Sequence, residues 1–328
     1  MIKLNYRPEV DGLRALAVIS VIFYHIEFFF EGNKLLSGGF IGVDIFFVIS
    51  GYLITSILIK EINLNSDFSL LGFYERRARR ILPVLFVTIL VSIYFAWQYL
   101  IPSFFLQFIK SSISSLFFFS NYFFYFEGLV YNDQQSLLKP LLHTWSLSVE
   151  EQFYIVFPIS LILINKFLGK KFFFYISLFL IIGFILCVNS TSNNSNFSFF
   201  STVSRAWEFL AGAIIFFLQT KIKKNEFRFH NLYTLIGLSF LLFSFVYFDE
   251  NTLHPSLITL IPIGGTCLII FFSKKENYIT KFLSNFVLVK IGLISYSLYL
   301  WHFPVFAFAR NKSEQISNFD KIELILIT

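Results

Sequence analysis

The chain has 328 residues, 56% hydrophobic and 14% charged, with mean hydropathy +0.70, a balance far more apolar than a soluble globular domain carries. The net charge of +6 is spread over loops between apolar runs and gives no reason to invoke nucleic acid. Cys187 and Cys267, the only cysteines, both fall in apolar runs, so neither a disulfide framework nor a metal-ligand set is expected.

Apolar runs near residues 12–30, 39–59, 81–101, 143–165, 172–188, 200–218, 231–248, 256–272 and 288–308 predict membrane-crossing helices, since about 20 helical residues cover about 30 Å of hydrocarbon. The expected fold class is all-α, a polytopic transmembrane helical bundle of about 9–10 helices. The first run holds Arg14, His25 and Glu27 and lacks a small-residue cleavage site, so it reads as a retained helix and not as a signal peptide. The Phe-rich stretch from Pro102 to Phe126, interrupted by Lys110 and several serines, reads as interfacial or re-entrant, with a further span as the rival. Eighteen of the 26 Lys and Arg residues fall on one side of this pattern and seven on the other, so the positive-inside rule puts the N-terminus in the cytoplasm. Residues 1–328 read as a single membrane domain. The final run, Lys321 to Thr328, opens an apolar segment of only about eight positions, which reads as truncation within a last span.

Ionisable residues inside apolar runs are costly and point to function. Arg14 and His25 are eleven residues apart, which on a helix is three turns plus about 20° and a rise of about 16 Å, placing both on one face. Taken alone, Arg14 is equally a snorkelling interfacial arginine and His25 an interhelical hydrogen-bonding group. The run from Ser37 to Tyr52 carries Gly38, Gly39, Gly42 and Gly51, which permit close backbone approach, and Asp44, which could orient His25 or Arg14 or simply offset a helix dipole. Arg76, Arg77, Arg79 and Arg80, just before Pro83, form a cationic arc suited to a polyphosphate or to anchoring at the inner face.

Further along, His143, Ser146 and Glu150 share a helix face, and Trp145 and Glu151 stand beside them; such groups can hold sugar hydroxyls or move protons. Arg205 and Glu208, three apart, suit a structural ion pair. In Ser295-Tyr-Ser-Leu-Tyr-Leu-Trp-His302, Trp301 and His302 suit an interfacial aromatic belt or a substrate channel. His230 and His254 fall in loops and carry no functional expectation.

Five segments, in order, resemble the acyltransferase-3 family of integral membrane acyltransferases: Asp11-Gly-Leu-Arg-Ala-Leu-Ala-Val with His25, the Gly39-to-Gly51 run, the arginine cluster, His143-Thr-Trp-Ser-Leu-Ser-Val-Glu-Glu-Gln-Phe-Tyr154, and the run ending in Trp301-His302. The resemblance implies O-acylation, commonly O-acetylation, of an extracytoplasmic glycan such as lipopolysaccharide O-antigen, peptidoglycan or exopolysaccharide. It further implies acyl-coenzyme A (acetyl-CoA) as co-substrate with no bound cofactor, and a multi-pass location in the inner (cytoplasmic) membrane. His25 would be the catalytic histidine with Arg14 its partner, Asp44 and Glu150 would assist, and Arg76 to Arg80 would engage the donor. His143, Trp145, Ser146, Glu151, Trp301 and His302 would line the acceptor path. A periplasmic SGNH-type domain would be a partner. The rival reading is a transporter or glycan-lipid translocase, which would more often show repeated halves.

Overall fold

The computed structural model describes residues 6–64, 69–128, 131, 134–167, 171–222, 229–312 and 318–328. Among them the helices are α1 (Pro8–Ile26), α2 (Gly42–Leu64), α3 (Leu70–Tyr99), α4 (Pro102–Leu116), α5 (Ser120–Phe126), α6 (Gln134–Leu137), α7 (Thr144–Phe167) and α8 (Phe172–Asn193). They continue with α9 (Ser195–Phe200), α10 (Thr202–Lys221), α11 (His230–Tyr247), α12 (Leu260–Phe272), α13 (Tyr278–Leu283), α14 (Phe286–Lys312) and α15 (Asn318–Ile327). Each expected span is met by a helix, and the fold is an all-α polytopic bundle.

Six of these segments are long and apolar enough to cross a membrane: Gly39–Ile62, α3, α7, α8, α11 and α14. The charged helices α1 and α10 are largely buried instead, α1 against α2 and α14, and α10 against α2 and α8. Large apolar side chains left exposed, such as Phe86 and Leu90 of α3 and Ile181 and Ile185 of α8, stand on the outside, where hydrocarbon would cover them. The close crossings use missing side chains. A Cβ on Gly51 or Gly212 would strike the backbone of Phe209 or Val48 across the α2–α10 contact, and one on Gly292 would strike Asp11 across α14 and α1.

Three boundaries differ from expectation. The first helix ends at Ile26, because Glu27 turns into the left-handed region (φ 55°, ψ 55°), and a two-residue ladder of Phe29–Phe30 with Asn33–Lys34 follows. The third begins at Leu70, capped by the Ser69 side chain, and runs through Pro83, so the arginines belong to its first turns. Its 30 residues span about 45 Å, more than hydrocarbon needs, so its arginine end extends past the apolar layer. The Phe-rich stretch folds as α4 and α5, of 15 and 7 residues, each shorter than a span, which fits the re-entrant or interfacial reading.

The two ends of the bundle are pinned differently. At the arginine end, Arg7 donates to the Tyr52 hydroxyl and the Ile270 carbonyl, both at 2.7 Å. At the other, Lys34 meets Glu250 at 2.6 Å, and Lys321 of α15 donates to the Glu27 carbonyl at 2.7 Å. Of the basic residues used for orientation, Lys3, Lys170, Lys223, Lys224 and Arg228 lie outside the described residues.

Candidate active site

A cavity of about 340 Å3 opens among α1, α2, α3, α7 and α14. Arg14 enters it from α1 and Arg76, Arg77 and Arg80 from α3; Ser146 and Tyr299 are also in its lining. The guanidinium of Arg77 lies 3.7 Å from the centre of the Tyr154 ring, a cation–π contact that fixes its direction. Arg76 meets Glu61 at 2.6 Å, and Arg14 keeps Asp11 at 3.6 Å. Glu150 accepts from Ser50 at 2.5 Å and from the Tyr154 hydroxyl.

The arc is therefore narrower than four arginines. At about 100° per residue, Arg76, Arg80 and Arg77 cover one 100° sector and Arg79 falls about 60° outside it. Arg79 pairs instead with Glu75 at 2.6 Å, with its side chain 79% exposed. Arg79 thus stands apart from the cavity that the other three arginines line.

His25 lies toward the other end of α1, only 1% exposed. Its Nδ1 is 3.1 Å from Nε2 of His302, and its Nε2 is 2.8 Å from the Tyr131 hydroxyl. The Nδ1 of His302 lies 2.6 Å from the Tyr299 carbonyl oxygen. Tyr299 thus touches both sites: its hydroxyl shares a hydrogen bond with Ser146 at 2.6 Å and donates to the His143 carbonyl at 3.0 Å. The His143 ring stacks on Phe303 and lies 5.5 Å from the His302 ring. The three histidines meet because α1, the start of α7 and α14 converge at this level. Among the described residues no set of His, Cys, Asp or Glu is arranged to hold a metal ion.

Asp44 belongs to a separate cluster. Its carboxylate takes Arg205 at 2.9 Å and His254 at 3.3 Å, and Arg205 also holds Glu208 at 2.9 Å, all of them buried. Pairing with His25 or Arg14 is corrected: Arg205 on α10 brings one guanidinium nitrogen to Asp44 Oδ1, and its other terminal nitrogen faces Glu208 and His254. Burial holds the His254 imidazole below its ordinary range, against the pull of Asp44. Arg205 lies 5.6 Å from the Trp145 ring centre and 5.7 Å from that of Phe199, and both rings pack on Tyr131, so this cluster backs the wall behind His25.

Residues 7–327 match the family model described as an acyltransferase domain. The chain belongs to the acyltransferase-3 family. A Staphylococcus aureus (strain MSSA476) protein, provisionally named an O-acetyltransferase, is 35% identical over 321 residues, covering 94% of this chain and 52% of its own length. The O-acetyltransferase OatA of Staphylococcus aureus (strain NCTC 8325 / PS 47) is 33% identical over 319 residues, with the same coverage. The chain thus spans about half the length of the curated relatives it matches. No solved structure matches it.

Within this acyltransferase-3 domain the expected site residues fall into distinct places. Arg14, Arg76, Arg77, Arg80, Ser146 and Glu150 share the cavity; His25, His143 and His302 meet beyond its Tyr299 wall; Trp145 is buried between the His25 level and the Asp44 cluster. Arg14 and Glu150 are not beside His25. Glu151 is buried next to Glu150 but outside the cavity lining. Trp301 turns away from its neighbour His302, onto a cleft of about 850 Å3 between α3, α14 and α15. Tyr131, Tyr299 and His254 carry contacts that sequence reading did not assign. Tyr299 lies inside the run from Ser295 to His302, three positions and so about one helical turn before His302, and that spacing is the signal the sequence carries.

Proposed function

We propose that this acyltransferase-3 domain is a multi-pass membrane O-acyltransferase, moving an acyl group, acetyl by analogy with the names of its relatives, from acyl-coenzyme A at the arginine end to a glycan hydroxyl at the His25 end. Supporting this above all is the Tyr299 connection: one residue closes the arginine-lined cavity with its hydroxyl and holds the histidine pair with its carbonyl. Arg14, Arg76, Arg77 and Arg80 offer planar forks for the donor's phosphates. The axial rise of about 16 Å from Arg14 to His25 suits a donor whose phosphates and thioester lie far apart.

His25 acts in one of two ways. As a general base its ring takes the sugar hydroxyl proton while that oxygen bonds to the thioester carbonyl carbon, and the departing thiolate then receives the proton. As a relay its Nε2 bonds to the thioester carbonyl carbon as the carbon–sulfur bond breaks and the thiolate leaves; the sugar oxygen then takes the acyl group from the ring, and the hydroxyl proton goes to the thiolate. The acceptor is proposed to be an extracytoplasmic cell-envelope glycan, with an SGNH-type domain as partner and the cytoplasmic membrane as location. The family match favours transfer over translocation.

The test uses membranes holding the full chain, labelled acetyl-coenzyme A and envelope glycan. His25→Ala should abolish label transfer while leaving expression and donor binding intact. Transfer at the unmodified rate in that variant overturns the proposal.

A further inference from the structure

From the hydrogen bonds around His302 we infer that this residue is the positioning residue that selects the reactive nitrogen of His25, directing Nε2 and not Nδ1 at the substrates. A carbonyl oxygen only accepts, so the 2.6 Å contact to Tyr299 requires a proton on Nδ1 of His302. A neutral imidazole then has its lone pair on Nε2. That lone pair faces Nδ1 of His25 at 3.1 Å, so the proton of neutral His25 resides on Nδ1. The remaining nitrogen, Nε2, is left as the acceptor, and it points at the Tyr131 hydroxyl 2.8 Å away. A backbone carbonyl thus sets one tautomer, which sets the next.

Burial strengthens the arrangement. His302 is fully buried and His25 nearly so, so solvent offers neither ring a competing partner. The Phe303 ring lies 4.9 Å from the His25 ring at 79° and also stacks on His143, which restrains the plane in which the pair can sit. The inference rests on the reading of His25 as the group that takes the proton or the acyl group, and it serves both routes. In the base route the sugar proton lands on Nε2, and the Nδ1–H to His302 bond persists in the imidazolium. In the relay route Nε2 forms the bond to the carbonyl carbon as the carbon–sulfur bond breaks, and the Nδ1 proton stays directed at His302.

Two measurements test it. First, ring nitrogen NMR of the histidine-labelled full chain, with His25 assigned by its loss in His25→Gln, reads the tautomer directly. The Nδ1–H form is expected in the unmodified protein, and the Nε2–H form there overturns the inference whatever the activity. Second, kinetics compare three substitutions. His302→Gln keeps an acceptor oxygen near the Nε2 position, whereas His302→Asn supplies one only near Nδ1, and His302→Phe supplies none. With His302→Phe and His302→Asn, kcat should fall on the order of 10²- to 10⁴-fold with donor KM unchanged, as when a histidine loses the group fixing its tautomer. His302→Gln should recover to within about tenfold of the parent. Equal losses in all three, with donor binding retained, would mean that His302 only fills space. Transfer persisting in His25→Gln would instead sink the functional reading and leave the tautomer result standing.

Discussion

The carbonyl of Tyr299 holds His302 at 2.6 Å while the hydroxyl of the same residue closes the arginine-lined cavity against Ser146. Side chain and backbone therefore serve different neighbours, and a substitution can separate them. Tyr299→Phe removes the hydroxyl and leaves the carbonyl. It should cost about 0.5–1.5 kcal/mol of stability, because the buried Ser146 hydroxyl loses one partner and keeps the His143 carbonyl at 3.1 Å, yet keep the His302–His25 geometry. Thermal unfolding together with kcat reads the two effects apart. A collapse of kcat with stability unchanged would contradict this division.

The arginines give a contrast within one helix. Arg80 lines the cavity and Arg79 does not. Arg80→Ala should raise the KM for acyl-coenzyme A on the order of ten- to hundredfold, the worth of one charged hydrogen bond of about 1.5–3 kcal/mol. Arg79→Ala should leave it unchanged, since its exposed pair with Glu75 contributes little. Equal effects from both would return the cluster to a general electrostatic role.

What was legible in the sequence follows from cost. Arg14 and His25 stood out because a charged or titratable group in an apolar run needs a reason. Spacing alone sets Arg79 about 60° outside the sector of the other three, but which sector of α3 faces the cavity is decided by packing, as in the contact of Arg77 with the Tyr154 ring. Tyr131 could not stand out among 16 tyrosines, and its meeting with His25 spans 106 positions. For Asp44 the sequence offers His25, Arg14 or the dipole of its own helix, whereas Arg205, on α10, is brought to it by the glycine-lined α2–α10 crossing. Long-range partners of this kind come from packing, which periodicity does not record.

The Asp44 cluster should carry stability more than donor affinity. Asp44→Asn leaves Arg205 with a weaker partner in a fully buried site, and breaking such a pair costs about 3–5 kcal/mol. The variant should unfold at lower temperature or fail to accumulate, while the fraction that folds binds acyl-coenzyme A at parental KM. Full stability in Asp44→Asn would show that Glu208 alone satisfies Arg205.

The direction of the bundle is set by charge, and it decides which substrate reaches which end. Eighteen basic residues against seven favour the arginine end inside. With Cys187 and Cys267 replaced by serine and alanine, single cysteines can be placed at the exposed positions Arg79 and Glu31, at the arginine end and the His25 end respectively. A membrane-impermeant thiol reagent applied to sealed cells should label Glu31→Cys, and should label Arg79→Cys only after the inner face is opened. Since Arg79 lies outside the cavity, its variant should also keep donor KM, so the label reports orientation in a working protein. Labelling of Arg79→Cys from outside would invert the bundle, bringing the arginine-lined cavity to the external face, where a cytoplasmic acyl donor has no access.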